Sequence, residues 1–199
     1  RSSDLSTPIT DGPHETPTFY DHGIPFVSAE AISGGYINFE KIRGYISKED
    51  HEVYSKKCKP QRDDIFMIKS GATTGVTAIV DTDIEFNIWS PLAVVRCNDS
   101  MLPFFALNYM RSHSFLEGVS QNWSFGTQQN IGMGVIGDLP ITVPPFEEQK
   151  VIASYLKRGL DRLSSLTHKT QRSIDLLKER RSAFITAAVT GQIDLREPA

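Results

Sequence analysis

The longest regular pattern in the chain lies near its C-terminal end. Leu156, Leu160, Leu163, Thr167, Thr170, Ile174, Leu177, Arg181, Phe184 and Ala188 recur at alternating spacings of 4 and 3 residues, the heptad period of a coiled-coil seam. From Glu147 to Val189 there is no proline and a single glycine, Gly159, so one helix of roughly 65 Å is expected. Pro144 and Pro145 block a helix before them, and Glu147 and Glu148 suit the positive end of its dipole. Lys178, Arg180 and Arg181 crowd the last turns, and Gly191 follows as the expected C-cap. Thr167, Thr170 and Arg181 weaken the seam but restrict its register. A helix this long cannot cover its own apolar stripe. These ten positions therefore predict pairing with a second helix, from the same chain or from another copy.

Upstream the periods are shorter. Leu5 to Val27 is rich in turn formers, which predicts loops leading into a strand near Phe26. Gly34-Gly35 reads as a turn, and Ser47 to Lys57 as a short helix with Ser47 at its start. Ile65 to Ile68, Val76 to Val80 and Leu92 to Val95 have the length and residue types of buried strands. Leu102 to Phe115 reads as a helix, and Leu139 to Val143 as a strand or extended arm delivering the chain to the long helix. Strands and helices mix without a βαβ rhythm, so the expected class is α+β. A mixed-sheet globular domain over residues 1–143 would precede a helical region over 144–199.

Composition narrows the setting. With 199 residues and 39% apolar content, the chain can build one real core. Two cysteines, Cys58 and Cys97, form neither a disulfide framework nor a zinc cluster, which points to a reducing cytoplasm. No run of about 18 apolar residues suggests a membrane span. The first residue is Arg rather than Met, as expected of a chain that begins inside a longer gene product or was trimmed. Net charge is −3, which alone argues against nucleic acid. Yet eight of the 11 basic residues before position 147 fall between Lys41 and Lys69, against five acids there. A local basic face can therefore form.

Several motifs fail on context. Gly132-Met133-Gly134-Val135-Ile136-Gly137 matches the dinucleotide fingerprint, but Pro140 follows too soon for the helix that motif must open. Gly71-Ala72-Thr73-Thr74-Gly75 lacks the Lys-Ser/Thr ending of a phosphate loop and reads as a tight turn. Val143-Pro144-Pro145-Phe146 has valine where an amino-methyltransferase needs Asn or Asp. Asp138 with Glu148 and Lys150 has the residue types of a magnesium-dependent nuclease, but the second part opens a helix instead of lying on a neighbouring strand. His14, His22, His51, His113 and His168 show no metal-ligand spacing. Neither a catalytic nor a metal site is assigned.

The approach to the helix carries a resemblance. Leu139-Pro140-Ile141, Val143-Pro144-Pro145-Phe146-Glu147-Glu148-Gln149, Ile152, Leu156 and the terminal run from Leu176 to Gly191 closely resemble the DNA-specificity (S) subunit of type I restriction-modification systems. Ile9 to His14 with Thr16-Pro17, Gly23 to Val27, Asp63 to Ile65, Gly71 to Gly75 and Gly126 to Ile131 fit as well. The resemblance implies a non-catalytic chain. Its recognition domain would read double-stranded DNA, and its helical region would separate two such domains and dock a methyltransferase (M) subunit, with a restriction (R) subunit as a further partner. S-adenosylmethionine, ATP and magnesium would then act in the partners, leaving this chain without a cofactor. Family members carry two recognition domains and two helical regions. One of each here implies half of a longer protein, or a homodimer reading a palindrome with a gap.

On chemistry, Lys41, Arg43, Lys56, Lys57, Lys59, Arg62 and Lys69 are the phosphate-contact candidates, and Thr73, Thr74, Asn122, Gln128, Gln129 and Asn130 the base-edge candidates. Trp123 and Phe125 read as core. Two competing functions are a metal-dependent DNA endonuclease and a protein-only coiled-coil scaffold.

Overall fold

Four apolar residues in a row, Ile65-Phe66-Met67-Ile68, must be covered on both faces if they form a strand. The computed structural model, which describes residues 7–125 and 129–193, covers them with two different layers. In chain order its elements are β1 (Thr10–Asp11), β2 (Ile24–Val27), α1 (Ala29–Ile32), β3 (Gly44–Ile46), α2 (Lys48–Ser55), β4 (Ile65–Ile68) and β5 (Thr77–Ile79). Then follow β6 (Asn87–Ile88), β7 (Leu92–Val95), α3 (Pro103–Met110), α4 (His113–Gln121), β8 (Ser124–Phe125), β9 (Gln129–Asn130), α5 (Met133–Asp138) and α6 (Phe146–Val189). The class is α+β, as the sequence predicts.

An antiparallel sheet in the order β1-β7-β4-β5 forms the middle. Alternation along its strands divides the core. Ile65, Met67, Ala93 and Val95 pack with Phe105, Leu107 and Met110 of α3 and with Phe115 and Val119 of α4. Phe66, Ile68, Leu92 and Val94 pack instead with Val27, Ile32, Phe86 and Ile88. That second layer is the sheet β3-β2-β6, in which β2 runs antiparallel to β3 and parallel to β6. Its other side carries Phe26 and Ile46 against Tyr54 of α2.

Three readings of the sequence change. The helix expected over Leu102 to Phe115 is two helices, because Ser112 leaves the helical conformation and its hydroxyl caps Phe115 N at 3.4 Å. Arg111, at the break, bonds the carbonyls of Gly35 (2.6 Å) and Thr77 (2.9 Å). The stretch read as loop before Phe26 supplies β1, since Thr10 and Asp11 pair with Val94 and Ala93. Leu139 to Val143 is the extended arm and not a strand.

α6 is continuous over 44 residues, about 66 Å at 1.5 Å per residue. Its end carries the expected glycine cap but no basic residue in the last turn, since the helix runs about two turns past Arg181 to Val189. Gly191 adopts φ 71°, Gln192 N bonds Ala187 O (2.8 Å) and Gly191 N bonds Ala188 O (3.4 Å), the Schellman pattern. Two compact units result, one through Ile152 and one from Ala153. In the second, Leu160, Leu163, Ile174, Leu177 and Phe184 of the heptad seam are 41% to 63% exposed. Thr167, Thr170 and Arg181 are exposed too, and Leu156 and Ala188 are half-buried.

The first turns of α6 belong to the compact unit, and Gln149 explains why. Its amide is fully buried, accepts from Leu102 N (2.8 Å) and donates to Ser100 O (2.9 Å) and Pro144 O (3.0 Å). The buried end of the Pro-Pro-x-x-Glu-Gln run thus ties together three backbone groups, from Ser100, Leu102 and Pro144.

Candidate nucleic-acid interface

A ladder of backbone hydrogen bonds joins four loop segments at one edge of the compact unit. Ser90 N donates to Pro13 O (3.1 Å), and Lys69 N to Pro91 O (2.8 Å). Ile131 N donates to Lys69 O and Gly71 N to Gln129 O, both at 2.9 Å, and Ser70 bridges Asn130. The tight turn between β4 and β5 and the β8-β9 hairpin are therefore one construction. Gly71 (φ 100°) and Gly75 (φ 94°) make that turn, in the left-handed region that favours glycine. At Gly12 the need for glycine is steric, as a Cβ there would lie 2.0 Å from Ile88 O.

This construction brings Thr73, Thr74, Gln129 and Asn130 together. Thr73, Gln129 and Asn130 are exposed. The Thr74 hydroxyl turns inward and bonds Gly71 O at 2.7 Å. Asn122 lies at the end of α4, where its amide donates to Gly118 O (2.8 Å). Gln128 lies outside the described residues, as does the side chain of Phe125. Trp123 packs partly buried against the core beside α3 and α4.

The seven cations do not form one patch. Beneath the edge, Lys57 Nζ sits 2.6 Å from Asp11 Oδ1 and 2.7 Å from Gly12 O, and Lys69 Nζ 3.2 Å from Asp11 Oδ2. His14 Nε2 approaches the same oxygen at 3.3 Å. Asp11 is 1% exposed. Burial pushes its carboxyl up, but hydrogen bonds and charge from Lys57 and Lys69 outweigh that and hold it below the ordinary 3.8. Elsewhere Lys59 pairs with Glu85 (2.6 Å), and Arg62 grips Asp83 through two bonds of 2.8 and 2.7 Å. Both line a groove of about 250 Å³ whose acids balance their charge. Lys41 and Lys56 are exposed and make no ion pair among the described residues. Arg43 lies over the Trp89 ring, 4.7 Å from its centroid.

Sequence reasoning missed several polar groups that organise the compact unit. Asp11 appeared only as part of a turn, and nothing local announced that lysines 46 and 58 residues away would meet it. Arg96 clasps the buried Asp64 with two bonds of 2.7 and 2.8 Å. His51 is buried with Nδ1 2.6 Å from Asn87 Oδ1, a pairing no local pattern signals. For the nuclease alternative, Lys150 bonds Glu147 (2.8 Å), and no group of three or more His, Cys, Asp or Glu among the described residues could hold a metal. Burial pushes the Cys58 and Cys97 thiols up to about 11, far from a reactive thiolate at neutral pH.

The chain is similar to several known proteins. Over 79 residues it is 30% identical to the type I restriction enzyme EcoBI specificity subunit of Escherichia coli, covering 40% of this chain and 17% of that one. A chain from a type I R-M system, solved to explain complex assembly and conformational transition, matches at TM-score 0.71 and 23% identity, over 94% of this chain and 44% of that one. The HsdS subunit from Thermoanaerobacter tengcongensis matches at TM-score 0.58 and 22% identity, over 84% and 38%. The S subunit from M. genitalium gives 0.57 and 18%, over 83% and 39%. This chain thus spans less than half the length of each. The family profile itself matches residues 7–176, from the first described residue into the heptad seam, and the chain belongs to the type I restriction modification DNA specificity domain family.

Proposed function

We propose that this chain is a non-catalytic DNA-recognition component of a type I restriction-modification enzyme. The observation that carries the reading is the union of a compact unit with a 44-residue helix whose apolar seam is exposed. Such a helix supplies spacing and pairing, and the compact unit supplies the reader. Thr73, Gln129 and Asn130 reach base edges of a half-site in duplex DNA, where amides can pair adenine bidentately. Lys41, Arg43 and Lys56 contact phosphates and set the register. Lys59 and Arg62 are poorer candidates for phosphate, because fixed acids already neutralise them.

The seam residues of α6 pair with the same helix of a second copy, or with the other half of a longer subunit. The pair holds two readers at a fixed separation and docks the methyltransferase and restriction subunits. Methyl transfer from S-adenosylmethionine and ATP- and magnesium-dependent steps take place in those partners. Cys58 and Cys97 are free thiols, in keeping with a reducing cytoplasm, and no helix among the described residues is long and apolar enough to cross a membrane.

The test is duplex binding by the chain assembled with its methyltransferase partner. The expected result is salt-sensitive binding that selects a sequence, recovered by sequencing the bound fraction of a random duplex pool. A bound fraction as random as the input overturns the reading.

A further inference from the structure

A buried carboxylate facing two ammonium groups is a strong commitment of charge, and here one of those groups belongs to Lys69, which adjoins the segment that carries the base-edge candidates. Asp11 is fixed on β1 opposite Ala93. Lys57 reaches it from beyond α2, and Lys69 from the first residue after β4. Lys69 is also the residue whose backbone accepts from Ile131 and donates to Pro91, so its position sets that of the turn and the β8-β9 hairpin. Its side chain is only 13% exposed, against 43% for Lys57.

We propose that Asp11 is a positioning residue that holds Lys57 and Lys69 away from DNA phosphates, so that selection at this edge rests on neutral side chains. The inference depends on the DNA-reading function above. Its physical content is a trade between two modes of attraction. A free ammonium adds affinity for every sequence alike, because each phosphate contact releases counterions regardless of the bases. The same ammonium held by a carboxylate adds none. The Lys57 bond to Gly12 O tightens the arrangement by tying it to a glycine that no other residue can replace sterically. Asp11 therefore lowers background binding and keeps the turn that carries Thr73 in register with Gln129 and Asn130.

The test uses the full chain in its methyltransferase complex and a fluorescent random-sequence duplex pool. Asp11→Asn keeps the shape and removes the charge. The expected outcome is tighter binding to the pool, a log–log salt slope steeper by about 1 to 2, and loss of at least part of the sequence selection. Adding Lys57→Gln in the Asp11→Asn background should return the slope by about 1. A folded Asp11→Asn complex with the wild-type slope and undiminished selection overturns the proposal. If Asp11→Asn does not fold, Lys57→Gln and Lys69→Gln alone decide the matter. Engaged lysines predict wild-type slopes, whereas a slope shallower by about 1 in either variant means the lysine already touches phosphate and the proposal fails. A wild-type complex that selects no sequence rejects the DNA-reading function itself, which is a distinct result.

Discussion

The two units of this chain treat apolar surface in opposite ways. The compact unit buries Phe26, Phe66, Met67, Ile68 and Ile88 completely, and every layer of its core is closed by another layer of the same chain. From Ala153 onward the helix leaves Leu163, Leu177 and Phe184 about 60% exposed. β4 and β7 are short and apolar at every position, so layers of the compact unit cover both of their faces, whereas a heptad pattern over some 30 residues makes one long apolar stripe on a single face of a helix. A closed core gives a stable shape. An open stripe of this kind leaves apolar surface that the described residues do not cover.

Substitutions in each unit test that contrast. The largest effect belongs to the closed core. Phe66→Ala, which removes a ring packed edge-on against Phe86 at 6.0 Å, is expected to cost about 4 kcal/mol in chemical denaturation. A loss under about 1 kcal/mol would mean the middle sheet is not sandwiched as described. Next comes Gln149→Ala, which removes a fully buried amide bonded to Leu102 N, Ser100 O and Pro144 O. About 3 kcal/mol should be lost. The same measurement on Glu148→Ala, at an exposed neighbouring position, should stay within about 0.5 kcal/mol.

Asp11→Asn should cost about 2 kcal/mol near neutral pH, and its pH dependence is the sharper check. The Asp11 carboxyl is held below 3.8 in the folded state. Its contribution is complete above that ordinary value and is lost as the pH falls through the lower folded-state value. The melting temperatures of wild type and Asp11→Asn should therefore converge on acidification, and a gap that widens would contradict the Lys57 and Lys69 pairing. The smallest effect on folding is expected from the open seam. Ile174→Glu with Leu177→Glu should change unfolding of the compact unit by under about 0.5 kcal/mol. In sedimentation or light scattering the same variant should lose helix-mediated association, and one that associates like wild type would remove the seam from the account.

Not all of the candidate interface could be read from the chain as text. The turn at Gly71 to Gly75 and the amides around Gln129 were legible, because glycine and amide chemistry is local. Their adjacency was not, since it depends on bonds between residues 58 to 62 positions apart, such as Gly71 N to Gln129 O and Ile131 N to Lys69 O. The basic run from Lys41 to Lys69 misled for the same reason. Clustering in sequence suggested one cationic face, but Lys59 and Arg62 turn toward Glu85 and Asp83, and Lys57 and Lys69 toward Asp11. Ion pairing between distant residues decides where charge is left over.

Sequence alone specified the long helix, its C-terminal glycine, the spacing of its exposed apolar positions and the buried strands, because each follows from a short-range period or from the steric habits of proline and glycine. Folding in three dimensions settled that Leu102 to Phe115 breaks at Ser112, that Gln149 anchors the first turns of α6, and which lysines meet a carboxylate. Those outcomes turn on which polar groups meet across the fold, and burial makes every unmet one costly enough to override local preference.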